Sequence, residues 1–422
     1  MKRPYLYILV TDYPYGIGEP FLENELLENS AHFEHIYLVI PEIHLIDQSI
    51  VRYSLPSNAT LVPLQTRVSL THKLKAMSQW LKQSIRKEIA YINGSYKLKF
   101  GLNHFKTITG FMASGIAFSE QFQQVLRQHN HPPEKASIYS YWFTFATWGL
   151  TLIKQGNSAY NIGTRIHGWD CFYYRNSANY LPLRPITIST LDWICPISET
   201  GKTHLIEKIP DVQLNKIKVH YLGVDIRPSE FPICYKQGVL RIVSVSFIHH
   251  VKRIHLIIDA LAKIESIQVE WTHIGSWSSQ TAWLQDAARE KLGGKENIQY
   301  TFTGEKTIEE VRSFLEHHQA DFLICTSESE GIPVSMMEAL AAGTPVISTA
   351  VGGVPEIVQD QETGYLLPAN PTEAEIADTL NKIVLMDELE YRRLSENAKN
   401  TYLNKFQAKV NYKKFAKEIL QA

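Results

Sequence analysis

Two carboxylates, Glu330 and Glu338, bracket the start of one helix in the run Ser327-Glu328-Ser329-Glu330-Gly331-Ile332-Pro333-Val334-Ser335-Met336-Met337-Glu338-Ala339-Leu340. The run follows Asp321-Phe322-Leu323-Ile324-Cys325, apolar after its first residue, which reads as a buried parallel strand. The glutamates therefore stand at the carboxyl end of a strand, where open α/β sheets bind their ligands. Pro333 suits the first turn of the helix and Gly343 its stop. The N–H groups of Ile332, Val334 and Ser335 would then face the crevice, a natural place for phosphate or sugar hydroxyls. An ionised carboxylate only accepts hydrogen bonds and has two oxygens to do so, which matches a vicinal diol such as that of ribose. Taken alone, the same glutamates fit a second reading, Glu330 complementing the helix dipole and Glu338 a solvated helix residue.

The neighbouring residues separate the two readings. The Glu-x7-Glu pair, the following run Ala339–Val358 with its Gly352-Gly353, and Thr363-Gly364-Tyr365-Leu366 together resemble glycosyltransferase family 4. The match is long in the C-terminal half and looser in the N-terminal half. It implies a GT-B fold, two Rossmann-like α/β domains facing each other across a cleft, and retaining transfer from a nucleotide-diphosphate sugar. By that resemblance Glu338 holds the nucleotide ribose and Glu330 contacts the donor sugar, with Gly331, Ile332, Pro333 and Val334 contributing to the same site. In Val245-Ser246-Phe247-Ile248-His249-His250-Val251-Lys252-Arg253, Lys252 takes the place of a family lysine that grips the diphosphate. A second family cation falls on Phe247, and Arg253 or His249 is left to replace it. His167, in Thr164-Arg165-Ile166-His167-Gly168-Trp169-Asp170, matches a histidine-bearing loop that faces the donor sugar, although a histidine before glycine also serves structural ends. Gly18, in the turn Gly16-Ile17-Gly18, and Gly304 with Lys306 complete the substrate-binding candidates. Gly18 fits equally a plain strand–helix turn.

These residues need two scaffolds to hold them. The chain has 422 residues, 44% hydrophobic and 20% charged, the balance of a globular protein with two or three cores. A net charge of -1 points to no nucleic acid. Cys171, Cys195, Cys234 and Cys325 lie far apart, which argues against a zinc site or a disulfide framework. The apolar run Tyr5–Val10 is too short to span a membrane and reads as a first buried strand, so the cytoplasm is the expected compartment.

Strand-like runs at Tyr5–Thr11, Ile36–Ile40, Ser137–Trp142, Asn161–His167, Trp193–Ile197 and Ile217–Tyr221 predict an α/β domain over 1–226. A break near Pro228 and Pro232 leads into regular strand–helix alternation, which predicts a donor-binding domain over 233–400. A final helix over 401–422 is expected to return to the first domain. Between Ser69 and Asn130 the pattern is helical. Within Arg67–Lys106 Glu88 is the only acid among nine basic residues, with Trp80, Tyr91, Tyr96 and Phe100 interleaved. That segment suits peripheral docking on the inner, anionic face of a membrane carrying a lipid-linked acceptor, or a solvated or acceptor-side helical pair.

The reading is a cytoplasmic glycosyltransferase acting between the two domains, with a glycan or lipid-linked acceptor in bacterial surface polysaccharide synthesis. It needs no cofactor, and the donor is expected to be a UDP-sugar before a GDP-sugar. No Asp-x-Asp occurs in the chain, so no metal bridge to the diphosphate is expected. A nucleotide-sugar epimerase on the same fold and a catalytically silent partner subunit are the alternatives.

Overall fold

In a computed structural model, residues 3–16, 18–209, 212–228, 235–276 and 281–421 are described. They form two compact units, 1–222 with 408–422, and 223–407. The divisions thus fall at 222 and 407, where the sequence suggested 226 and 400.

The first unit is built on β1 (Tyr5–Leu9), β2 (His35–Ile40), β3 (Ala59–Pro63), β4 (Ala136–Ser140), β5 (Asn161–Ile166) and β6 (Trp193–Pro196). All pair in parallel, in the order β3-β2-β1-β4-β5-β6. Strands covered on both faces read as continuous apolar runs, as β1 does, rather than as an alternation. The switch in strand order falls between β1 and β4. Ile217–Tyr221 is not a strand of this sheet. Ile217 makes one isolated bridge to Ile194, and Lys218 and His220 continue with two backbone bonds beyond it. β3 was not expected, because it is short, half-exposed and closed by Pro63, as an edge strand tolerates.

Helices Leu70–Gln79, Gln83–Gly94 and Leu102–His129 form the helical segment. Ala76, Ile85, Ile92, Ile108 and Met112 are its buried side. The C-terminal helix Ala408–Phe415 and the turn Ala416–Leu420 pack into this unit. Phe415, Ile419 and Leu420 join the core of β1, β2 and β6, and Ser137 and Asn161 donate to the last carbonyls.

The second unit repeats the architecture with β7 (Val239–Val245), β8 (Gln268–Ile274), β9 (Ile298–Gly304), β10 (Phe322–Cys325), β11 (Val346–Thr349) and β12 (Gly364–Leu367). The order is β12-β11-β10-β7-β8-β9, again parallel, so the chain reverses between β7 and β10. Helices Ile254–Ala262, Trp283–Leu292, Ile308–Glu316 and Val334–Ala342 make the crossovers. Arg241 pairs with the buried Asp321 at 2.6 Å and clamps β7 to the start of β10. Pro232 and Cys234 lie outside the described residues.

Candidate active site

The reversal between β7 and β10 sends their following loops in opposite directions and leaves a crevice at the strand ends. The loop after β7 ends in a short turn, His250–Lys252, and Arg253 adopts a left-handed conformation (φ 47°) before the helix begins. The loop after β10 carries Thr326 to Pro333. Thr326 Oγ1 donates to the carbonyls of Lys252 and Arg253, and the Glu328 N–H donates to the Val251 carbonyl at 2.7 Å. The two loops are therefore fastened to each other before any side chain meets a ligand.

That fastening sets Lys252 Nζ 2.6 Å from Glu330 Oε1. The carboxylate is almost wholly buried and the ammonium partly exposed, so the pair presents its cationic end outward. A small pocket beside it is lined by Ser246, Lys252, Cys325, Ser327, Glu330 and Ser335. Burial and the neighbouring carboxylate push the Cys325 thiol upward, keeping it neutral.

Gly352 explains how Glu330 is seated. It has φ 52°, and a Cβ there would lie 1.8 Å from the Glu330 carbonyl oxygen. The Gly353 N–H then donates to the Gly331 carbonyl at 2.9 Å. Only a residue without a side chain fits that approach, so the Gly352-Gly353 pair is part of the site through its backbone.

Pro333 is the N-cap of Val334–Ala342 rather than its first helical residue, and no side chain caps that end. The first N–H groups have no partner within the helix. Gly343 closes the other end at φ 77°, with Thr344 N–H donating to the Ala339 carbonyl at 2.8 Å. Glu338 is not solvated. It is only 8% exposed, and Arg312 Nε of the preceding helix approaches to 3.5 Å. Burial pushes its carboxyl up to about 7, with Arg312 opposing the shift. Arg312 was missed in the sequence reading. It is 26 positions from Glu338, and no local spacing joins them.

Arg253 has a positioning geometry. Its Nε and both terminal nitrogens donate to the carbonyls of Thr326, Ser327 and Ala369 and to Asn370 Oδ1, at 2.7–3.0 Å. Four of its five N–H groups are engaged in holding loops. Phe247 is half-exposed on the loop after β7. Gly304 ends β9 with φ 83°, and Lys306 pairs with Glu310 of the next helix at 3.0 Å. Both belong to the sheet's edge, two strands from β7, and neither lines the pocket with Lys252.

In the first unit, His167 follows β5 inside an aromatic enclosure of Trp142, Tyr141 and Phe21, with ring centroids at 4.3, 4.9 and 5.7 Å. Both ring nitrogens are buried without a hydrogen-bond partner. Burial, then the charge of Arg165, holds its pKa well below the ordinary value, so the ring is neutral. Asp170 fixes its backbone, accepting from the N–H groups of His167 (2.8 Å) and Phe143 (2.9 Å). The Gly18 N–H donates to Asp12 Oδ2, and Ile17 lies outside the described residues. The amides of Thr11, Asp12 and Tyr13 converge on the buried Glu19 carboxylate at 3.0 Å, and Trp142 Nε1 joins them at 2.7 Å. The first loop therefore fills its own anion-binding nest with a carboxylate.

Residues 235–401 match the family described as "Glycosyl transferases group 1". The chain is 29% identical over 272 residues to "Putative colanic acid biosynthesis glycosyltransferase WcaL" of Escherichia coli (strain K12), covering 62% of this chain and 64% of that protein. It is 30% identical over 192 residues to "Amylovoran biosynthesis glycosyltransferase AmsK" of Erwinia amylovora, covering 43% and 45%. The matches thus span less than two thirds of either relative. Among solved structures, sucrose-phosphate synthase from Thermosynechococcus elongatus superposes with a TM-score of 0.71 at 14% identity, over 99% of this chain and 98% of that one. Anabaena Alr3699/HepE in complex with UDP superposes at 0.64 with 15% identity, over 99% of both. At that identity the likeness establishes the fold, two Rossmann-like units of the GT-B kind.

Proposed function

We propose, from the match of residues 235–401 to the glycosyl transferases group 1 family, that the chain is a retaining glycosyltransferase in bacterial surface polysaccharide synthesis. It moves a sugar from a nucleotide-diphosphate donor to a glycan or lipid-linked acceptor. The observation that carries this is the Lys252–Glu330 pair at the reversal point of the second sheet, beside an uncapped helix end.

A diphosphate leaving group gathers negative charge as the glycosidic bond breaks. Lys252, held in place by Glu330, and the helix N-terminus stabilise that charge without reorganising. Glu338 accepts hydrogen bonds from the ribose diol once it is ionised. Same-face attack assisted by the departing phosphate needs no carboxylate base, and a cationic site without Asp-x-Asp needs no metal bridge. The polysaccharide-related names of the relatives support the setting, and the UDP complex of a fold neighbour supports trying UDP-sugars first.

Incubation with a panel of donors and acceptors, with product detection and NMR of the new linkage, tests the reading. Transfer with retention that survives EDTA is expected. Inversion would discard the mechanism, and free nucleotide released from a donor epimerised without acceptor would favour the epimerase.

Membrane docking is supported by one face of helix Leu70–Gln79. Leu70, Leu74 and Met77 recur at helical spacing, with Leu81 just beyond, and are 72, 61, 46 and 78% exposed. Lys73, Lys75, Lys82, Arg86 and Lys87 are exposed around them, and Lys75 pairs with Glu120. Glu88, the only acid of Arg67–Lys106, is buried against Tyr180 and the Leu183 N–H. An apolar stripe fringed by lysines suits an anionic lipid surface. Among the described residues no helix is long and apolar enough to cross a membrane.

A further inference from the structure

The first unit contains a cavity of about 440 Å³ where its own sheet reverses, at the carboxyl ends of β1 and β4. That volume suits a sugar-sized ligand. Trp142, Phe143 and Trp169 line it, apolar faces on which the C–H side of a sugar ring can lie. Thr144 and Phe145 bring the start of helix Phe145–Gly156, whose N-terminal end is electropositive.

Arg184 also lines the cavity and is its anomaly. The side chain is 2% exposed, and its Nε and Nη1 are buried without a hydrogen-bond partner. It stacks over the Phe143 ring, with Cζ 3.5 Å from the centroid. The nearby carboxylates are committed elsewhere, Asp170 to the N–H groups of Phe143 and His167, Glu88 to Tyr180 and the Leu183 N–H. Burial lowers the guanidinium's pKa to about 10, with the charge of Asp170 opposing the shift, so the group stays charged. A buried cation with unused donors costs free energy that an incoming oxyanion would recover, and a guanidinium fork matches carboxylate or phosphate in two contacts. Glu42 is another lining residue, an acceptor for sugar hydroxyls.

We propose that this cavity binds an acidic sugar, with Arg184 receiving its oxyanion, and that the transferase is thereby selective for an acceptor bearing a negative charge at that sugar. The substrate role rests on the transferase reading above, whereas the binding does not.

Calorimetry on the full chain with methyl β-D-glucuronide, glucose 6-phosphate and methyl β-D-glucoside, alongside UDP, tests it. At least one charged sugar is expected to bind tenfold or more tightly than the neutral one, with the preference fading as salt rises. The stronger of the two charged probes identifies the oxyanion as carboxylate or phosphate. Arg184→Gln should abolish the preference, and Arg184→Lys, which keeps charge but loses the fork, should retain part of it. UDP affinity should be unchanged in both. Equal affinity for charged and neutral sugars in the wild type, or a preference that survives Arg184→Gln, overturns the proposal. Failure of UDP to bind would instead count against the transferase reading.

Discussion

Replacing Glu338 by Gln should flatten the pH dependence of nucleotide binding and stabilise the ligand-free protein above neutral pH. The side chain is buried, its ion-pair partner among the described residues is Arg312 at 3.5 Å, and its carboxyl is raised from 4.5 to about 7. A shift of that size makes ionisation cost about 3 kcal/mol, at about 1.4 kcal/mol per pKa unit. Because the folded value lies above the unfolded one, the acid's contribution to stability is intact below pH 4.5 and is lost as pH rises through 7. If the ribose diol needs the ionised form, a carboxyl titrating near 7 is about one-tenth ionised at pH 6 and nine-tenths at pH 8. UDP affinity should then rise roughly tenfold over that interval, about 1.4 kcal/mol. Calorimetric titration with UDP at several pH values, wild type beside Glu338→Gln, separates this from titration of the nucleotide's own phosphate, which both proteins share. Parallel profiles for the two would refute the assignment. So would a Gln variant whose unfolding temperature moves no further above wild type at pH 8 than at pH 5.

Glu330→Gln removes the partner of Lys252 and should lower turnover by about 10²–10³-fold, more than it weakens UDP; steady-state kinetics with calorimetry will show which parameter moves. Changing Leu70, Leu74 and Met77 to Ser, or Lys73, Lys82 and Lys87 to Gln, should release the protein from phosphatidylglycerol vesicles in co-sedimentation. Wild-type protein that ignores anionic vesicles would remove the docking proposal. Arg165 and Glu25 form a wholly buried ion pair at 3.0 Å, with Tyr139 donating to Glu25 at 2.6 Å. Glu25→Ala should therefore cost about 3–5 kcal/mol in denaturant unfolding, and a loss under 1 kcal/mol would contradict that accounting.

Much of this was legible in the residue order. Buried parallel strands are continuous apolar runs and their crossover helices carry a 3.6-residue period, so the second unit could be read strand by strand, apart from β12. Glu330, Pro333 and Gly343 announced a loop-to-helix junction through local backbone chemistry, and Lys252 lay at a comparable loop after β7. Such signals depend on neighbours within a few positions. Their partners do not. That Lys252 meets Glu330 follows from the strand order reversing between β7 and β10. Arg253 has the composition of a phosphate ligand, yet the fold directs its donors to loop carbonyls. Arg312 reaches Glu338 and Trp142 reaches Glu19 from distant stretches of the chain, and the packing around Arg184 leaves its Nε and Nη1 without hydrogen-bond partners. Residue types determine what a group can donate, accept or ionise. Only the packed chain decides which of those capacities are already satisfied, because burial and long-range neighbours set the cost of leaving a charge alone.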